Sequence, residues 1–332
     1  MTTPSTSPKN VLILLATHNG EPWLAELFES LKAQTHSDWQ LLIRDDASAD
    51  GTVGLCQEFA SADARVRVLP GERVKPRGPI ANFEALMKIA GLSADALVFL
   101  CDQDDLWHPK KVETFMRHRM ALSGVPTLLA SDLNLIGGQG EKLSSKTFWK
   151  IQNIPQDGPI EIMDLCSRNF FPGCSMCFDS DLLSKALPIP DDAIMHDWWL
   201  ALIAAAVGQI GRVRPPMVNY RQHHRNHIGA TTLLQSIKSA LGGSKERDRA
   251  DFLATFTQAQ AVLSQLRPHL HNRDPDILIE LSGYLSLLSD PSPLRLITAW
   301  GGPIRKNHML AKLAFYLRLW RFRGGADIST PQ

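Results

Sequence analysis

Four times within the first 125 residues a short apolar run gives way to an amphipathic stretch, and this alternation restricts the fold more than any other feature. Val11 to Leu15 is continuously apolar, the pattern of a parallel strand buried on both faces. Pro22 then opens a helix in which Trp23, Leu24, Leu27, Phe28 and Leu31 recur at helical spacing. Further strands are read from Trp39 to Ile43, Val66 to Leu69 and Ala96 to Cys101. Helices are read between them at about 53–60, 79–90 and 109–122. Such alternation implies an α/β fold, a mostly parallel Rossmann-like sheet flanked by helices. Sheets of this kind bind ligands at the carboxyl ends of their strands. Three polar clusters stand there: ATHNG, RDDASADGT and CDQDDLW.

Beyond Thr127 the pattern loosens. A strand is expected from Leu128 to Ile136, another in GCSMCFD, and a helix in HDWWLALIAAAVG with Asp197 at or near its N-cap. Short strands are read at Ile210 to Val213 and Met217 to Tyr220, and several helices follow residue 231. The domain reading is therefore a polar, disordered tail over 1–9, a catalytic domain over 10–230 and a helical C-terminal region over 231–325.

Composition excludes several classes. Hydrophobic residues make up 44% and charged residues 21% of the 332, with a net charge of +1, so there is no polyelectrolyte signal for nucleic acid. The opening MTTPSTSPKN has no apolar core of a secretory signal, and the run Trp198 to Val207 is too short to span a bilayer. Five scattered cysteines fit a reducing compartment better than a disulfide framework. Cys174 and Cys177 form one CxxC without a second pair, which reads as a packed strand rather than a zinc site. The expected location is cytoplasmic.

The chemistry concentrates in CDQDD. If the strand continues past Cys101, Asp102 and Asp104 point to one side with Cα atoms about 6.6 Å apart. Their repulsion would be relieved by a hard divalent cation, Mg2+ or Mn2+, which also takes phosphate oxygens. The structural alternative is a loop in which Asp105 starts the next helix. Asp45 and Asp46 invite two readings, acceptors for a base or ribose, or an Asx-type turn through Ser48 and Asp50. Between Arg212 and His227 lie four arginines and three histidines without one acid, a set of donors suited to a diphosphate, or a solvated basic loop.

LLATHNGEPWLAELFESLKAQTHSDWQLLIRDDASADGT followed by VFLCDQDDLWHPKKV resembles the family-2 glycosyltransferases of GT-A fold. RNFFPGCSMCFD, MHDWWLALIAAAVG and YRQHHRNHIGA resemble their bacterial rhamnosyltransferase-like branch. The resemblance covers about residues 10–230. It implies that Thr17, His18 and Glu21 lie in the first nucleotide loop, although members commonly carry Tyr where His18 stands. It implies that Asp46 pairs with the nucleobase and that Asn82 lies on the nucleotide side. Many members put Arg before that Asn, where this chain has Ala81. Asp104 and Asp102 match the ends of the family's DxD, Asp104 toward the metal and Asp102 toward the ribose as well. His223 is a further metal or diphosphate contact, with Arg221 beside it. Asp197 of HDWW becomes the general base that takes the acceptor hydroxyl's proton. Trp198 and Trp199 are read as core more readily than as sugar platforms.

The implied function is an inverting transfer from a nucleoside-diphosphate sugar, with dTDP-rhamnose as the candidate. The acceptor is a saccharide or lipid-linked molecule of cell-surface polysaccharide synthesis. The rivals are a nucleotidyltransferase and a non-catalytic nucleotide-sugar binder. HMLAKLAFYLRLWRFR, a basic amphipathic stretch, offers either a peripheral contact with the cytoplasmic face of the inner membrane or a helix packed back on the protein.

Overall fold

A computed structural model of the chain describes residues 10–72, 74–122, 124–223, 245–270, 275–289, 315 and 317–319. The described residues form two compact units. The first runs to Ile151 and takes in Phe171–Ile189 and the chain from Met195 to His223. The second comprises Gln152–Phe170, Pro190–Ile194 and the helices after Lys245.

The first unit is an eight-stranded sheet. Its first half holds β1 (Asn10–Thr17), α1 (Glu21–Lys32), β2 (Gln40–Asp46), α2 (Thr52–Ala62), β3 (Val66–Glu72), α3 (Pro79–Ala90) and β4 (Ala96–Asp102). β5 (Leu106–Trp107), α4 (Lys111–Ala121) and β6 (Thr127–Ile136) follow. Strand order is β3-β2-β1-β4 and then, after β7 (Met176–Asp179), β6, β8 (Gln209–Arg221) and β5. β1 pairs in parallel with β2 and β4, so the alternation seen in the sequence becomes a parallel sheet. Its interior is apolar on both sides, with Ile13, Leu14, Leu15, Leu41, Ile43, Phe99 and Leu100 fully buried. Register places Thr17 opposite Asp45, and Ala16 opposite Asp102. The carboxyl ends of three strands therefore deliver their polar residues to one rim.

Two features differ from expectation. β8 is one strand of 13 residues, where two short ones were read. Its register against β6 slips where Val213 pairs with Ser131 and Pro216 with Asp132. The Pro215-Pro216 pair lacks the N–H groups a ladder needs, which produces the irregularity and hides the continuity. β5 has only two residues, pairing Leu106 with Asn219 and Trp107 with Val218. A strand that short has no readable period, yet it binds the acidic turn after β4 to β8.

After β6 come α5 (Phe148–Gln152), α6 (Ile162–Leu165), a 3-10 turn at Gly173–Ser175, β7, α7 (Ser180–Ala186) and α8 (His196–Val207). The helical region of the second unit is α9 (Lys245–Leu270) and α10 (Pro275–Ser289). There Phe256 stacks on Tyr284 at 4.4 Å, and the Tyr284 hydroxyl reaches Thr255 Oγ1 at 3.1 Å. The tail over 1–9 and most of the basic amphipathic stretch lie outside the described residues. Phe315 of that stretch is buried against Phe252, Phe256 and Tyr284, while Leu317 is exposed. Among the described residues no helix is long and apolar enough to cross a membrane. All five cysteines are free and buried, Cys174 and Cys177 among them.

Candidate active site

The first unit carries a cavity of about 980 Å3 at the carboxyl ends of β1, β2 and β4. Thr17, His18, Asp46, Asn82, Asp102, Asp104, Asp197 and His223 all line it. These eight residues are drawn from positions 17 to 223, so the fold assembles one site from segments scattered through the sequence. Glu21 and Arg221 do not line it.

The loops after β1 and β2 are braced mostly by each other. Asp45 accepts from Thr17 Oγ1 at 2.8 Å, Ser48 N at 2.8 Å and Ser48 Oγ at 2.5 Å. Of the two readings for the aspartate pair, the turn therefore falls to Asp45. Asp46, buried, accepts from Arg77 N at 3.0 Å and Gly78 N at 2.7 Å. A carboxylate has about four lone-pair sites, so these bonds leave acceptor capacity facing the cavity. Gly78 sits at φ 88, a left-handed conformation that glycine adopts without a Cβ clash, and it is the N-cap of α3. Asn82, one turn into that helix, exchanges bonds with Arg44, Arg44 Nη1 donating at 2.8 Å and Asn82 Nδ2 donating to Arg44 O at 3.0 Å. Glu21 Oε2 accepts from Gly51 N at 2.9 Å and so closes the α2 entry.

His18 is held by a residue that spacing alone did not single out. Gln103, the middle position of DQD, accepts from His18 N and donates to His18 O, both at 2.9 Å. Gly20 allows this clamp, because a Cβ there would fall on the Gln103 amide. The imidazole Nδ1 meets Asp46 O at 2.7 Å.

The acidic turn departs from the extended geometry assumed for it. β4 ends at Asp102, and residues 103 and 104 form a turn, so the two aspartates do not share a strand face. Asp104 Oδ2 lies 2.8 Å from His223 Nε2, and the His223 ring stacks on Trp23 at 4.1 Å. Asp105 turns inward and is fully buried; Oδ1 accepts from Arg221 N at 2.8 Å and Oδ2 has no hydrogen-bond partner. It does not start α4, whose N-cap is Lys110. Arg221 is buried as well. Its guanidinium donates to Asp104 O at 2.7 Å, Gly138 O at 2.9 Å and Glu26 Oε2 at 2.6 Å. The expected diphosphate contact is thus an internal rivet that fastens the acidic turn to α1 and β8.

Beneath the turn Lys111 is fully buried, with Nζ donating to Cys174 O at 2.6 Å and lying 3.5 Å over the Trp107 ring. Burial lowers its pKa to about 8. Burial, then the charges of Asp104 and Asp197, raises Asp102 to about 7. The rim is therefore short of positive charge. Among the described residues, ligand atoms of Asp102, Asp105 and Cys174 lie within 4.8 Å of one another, while in the expected set Asp104 Oδ2 and His223 Nε2 lie 2.8 Å apart. Cys174 is a soft donor whose thiol burial pushes well above its ordinary range, and only Asp102 of the three lines the cavity. The cavity wall offers carboxylate oxygens and an imidazole nitrogen in a negative environment. That donor chemistry fits a hard divalent cation.

Asp197 is the second residue of α8, whose N-cap is Met195, so it is not the cap. Its Oδ2 accepts from Gly173 N at 2.9 Å and Oδ1 from Trp198 N at 2.6 Å. Trp199 is core, donating from Nε1 to Ala186 O at 2.8 Å, and neither Trp198 nor Trp199 lines the cavity. His196 does line it: buried, stacked on Phe83 at 4.2 Å, with no hydrogen-bond partner at either ring nitrogen. His224 and His227 lie outside the described residues.

Comparison with known proteins agrees with this architecture. Residues 12–119 match the family model for glycosyl transferase family 2. The dTDP-rhamnosyl transferase RfbG of Shigella flexneri is 27% identical over 244 residues, which cover 69% of this chain and 78% of that protein. A UDP-Glc:alpha-D-GlcNAc-diphosphoundecaprenol beta-1,3-glucosyltransferase, WfgD of Escherichia coli, is 33% identical over 103 residues, 31% of this chain and 38% of the other. Among solved structures, S. aureus TarS 1–349 in complex with UDP-GlcNAc superposes with a TM-score of 0.52 at 12% identity, covering 94% of this chain and 89% of that one. The mannosyltransferase PcManGT from Pyrobaculum calidifontis, in complex with GDP-Man and Mn2+, gives 0.54 at 15% identity, covering 96% and 88%. With its mostly parallel sheet and these matches, the chain has the GT-A fold, and its residues 12–119 carry the match to glycosyl transferase family 2.

Proposed function

We propose that the cavity takes a nucleoside-diphosphate sugar and passes the sugar, with inversion, to a saccharide or lipid-linked acceptor of polysaccharide synthesis. One observation carries this reading: Asp197, Asp104, Asp102 and Asp46 line the same cavity. On this reading residues 10–230 are the catalytic domain. Asp46 and His18 receive the nucleoside, Asn82 keeps Arg44 and the α3 entry in place, and Thr17 steadies Asp45. Asp197, oriented by the amides of Gly173 and Trp198, is the general base. The acceptor oxygen forms a bond to the anomeric carbon while the bond from that carbon to the diphosphate breaks. The electron pair leaves on the nucleoside diphosphate, and the acceptor proton passes to Asp197. Asp104, His223 and Asp102 would hold Mg2+ or Mn2+. A divalent cation there supplies charge that offsets the departing diphosphate.

The likeness to RfbG supports dTDP-rhamnose as the donor, and the WfgD name supports an acceptor on a diphosphate-linked polyprenol. An acceptor of that kind would bring the enzyme to the cytoplasmic face of the membrane. Replacing Asp197→Asn tests the assignment. Turnover should fall by about 10²–10⁴ while donor affinity stays within threefold. A variant that retains wild-type turnover would remove Asp197 from the reaction, and no sugar transfer by the wild type from any nucleotide sugar would leave only a binder.

A further inference from the structure

The cavity has a charge imbalance that the residues so far assigned do not resolve. Five aspartates face it: Asp46, Asp50, Asp102, Asp104 and Asp197. Of the arginines that the sequence offered as compensation, the three among the described residues do not line it, and Arg225 lies outside the described residues. Arg221 is engaged inside the protein, and Arg212 and Arg214 on β8 are also absent from its wall. Among the described residues a single lysine or arginine does line it, and this is Arg77. The backbone explains its placement. Arg77 N and Gly78 N both donate to Asp46, so the loop before α3 is tied to the nucleotide side of the cavity by its main chain. The side chain is left available: 65% exposed, with one ion pair to Glu72 Oε1 at the long distance of 3.7 Å. An exposed pair of that kind contributes little and is readily exchanged. Lys75, two residues earlier, is exposed and does not line the cavity.

We propose that Arg77 is the cation that receives the donor's diphosphate, giving up Glu72 for two phosphate oxygens. The inference rests on the nucleoside-diphosphate reading above and adds the residue that makes an acidic cavity attractive to a dianion. A guanidinium suits this role because its planar fork meets two phosphate oxygens at once, and it stays charged through the physiological range. The position also separates binding from chemistry. Arg77 stands beside Asp46, on the nucleotide side, whereas Asp197 comes from α8. Loss of the arginine should therefore act on donor affinity more than on the acceptor step.

Calorimetric titration of the full chain with UDP, dTDP and GDP in Mg2+ buffer tests the proposal. Whichever diphosphate binds the wild type should bind Arg77→Ala at least tenfold more weakly, about 1.4 kcal/mol. Lys75→Ala should stay within twofold, since a basic loop acting only through its general field would weaken both variants alike. The Arg77 side chain is mostly exposed and its ion pair is long, so the variant should keep the wild-type unfolding temperature. A loss below tenfold in Arg77→Ala, or an equal loss in Lys75→Ala, overturns the assignment while leaving the donor reading intact. Failure of all three diphosphates to bind the wild type overturns the donor reading and this inference with it.

Discussion

His196 is a buried imidazole that receives no hydrogen bond and makes none, and burial lowers its pKa to about 3 from 6.5. The folded chain therefore keeps the ring neutral at pH values where the unfolded chain protonates it. Between those two values the unfolded state binds more protons, so stability must fall as pH drops below 6.5 and recover as pH rises. The perturbation that isolates this term is His196→Phe, which keeps a flat ring against Phe83 and cannot titrate. Any packing change from the larger ring is common to both pH values and cancels in the comparison. One pH unit below the unfolded pKa the term is worth about 1.4 kcal/mol. Chemical denaturation of both proteins at pH 7.5 and pH 5.5 reads it. The stability of the variant relative to wild type should rise by about 1.4 kcal/mol on going to pH 5.5. An unchanged difference would mean that His196 is solvated or paired in the folded protein, and the reasoning from its burial would be wrong.

Two further substitutions probe the acidic turn. Lys111→Met removes the buried donor to Cys174 O and leaves that carbonyl without it, and should cost about 1–3 kcal/mol in denaturant unfolding. A variant as stable as wild type would contradict the role given to that bond. Gly20→Ala drives a methyl into Gln103 and breaks both of its bonds to His18, so nucleoside-diphosphate affinity should fall with a stability loss of about 1–2 kcal/mol. Unaltered affinity would show that the clamp does not shape the nucleotide side.

What the sequence revealed and what it hid divide along local and long-range physics. α3 lies where it was read, Pro79–Ala90, because Pro at its start and a 3.6-residue apolar period are local signals. The parallel pairing of β1 with β2 and β4 agrees with the strand–helix alternation read from the sequence. The acidic residues at the strand ends were legible too, since like charges beside an apolar strand are conspicuous. The roles of Arg221 and Lys111 were not. Both are charged residues whose burial depends on partners far along the chain, Glu26 for one and Cys174 for the other. Gln103 was passed over because its partner, His18, is 85 residues away. The extended reading of DQD failed because β5 pulls the chain across to β8, and a two-residue strand leaves no pattern to see.

The central claim is that these aspartates form one ligand-binding rim whose occupant is a nucleotide sugar with a divalent cation. Titrating UDP-, dTDP- and GDP-sugars into the wild type and into Asp104→Ala, with Mn2+ and with chelator, tests it directly. The account predicts that at least one sugar binds the wild type, at least tenfold more tightly with Mn2+, and that Asp104→Ala loses that metal dependence. Binding that is indifferent both to the ion and to Asp104, or no binding by any of the three, would contradict it.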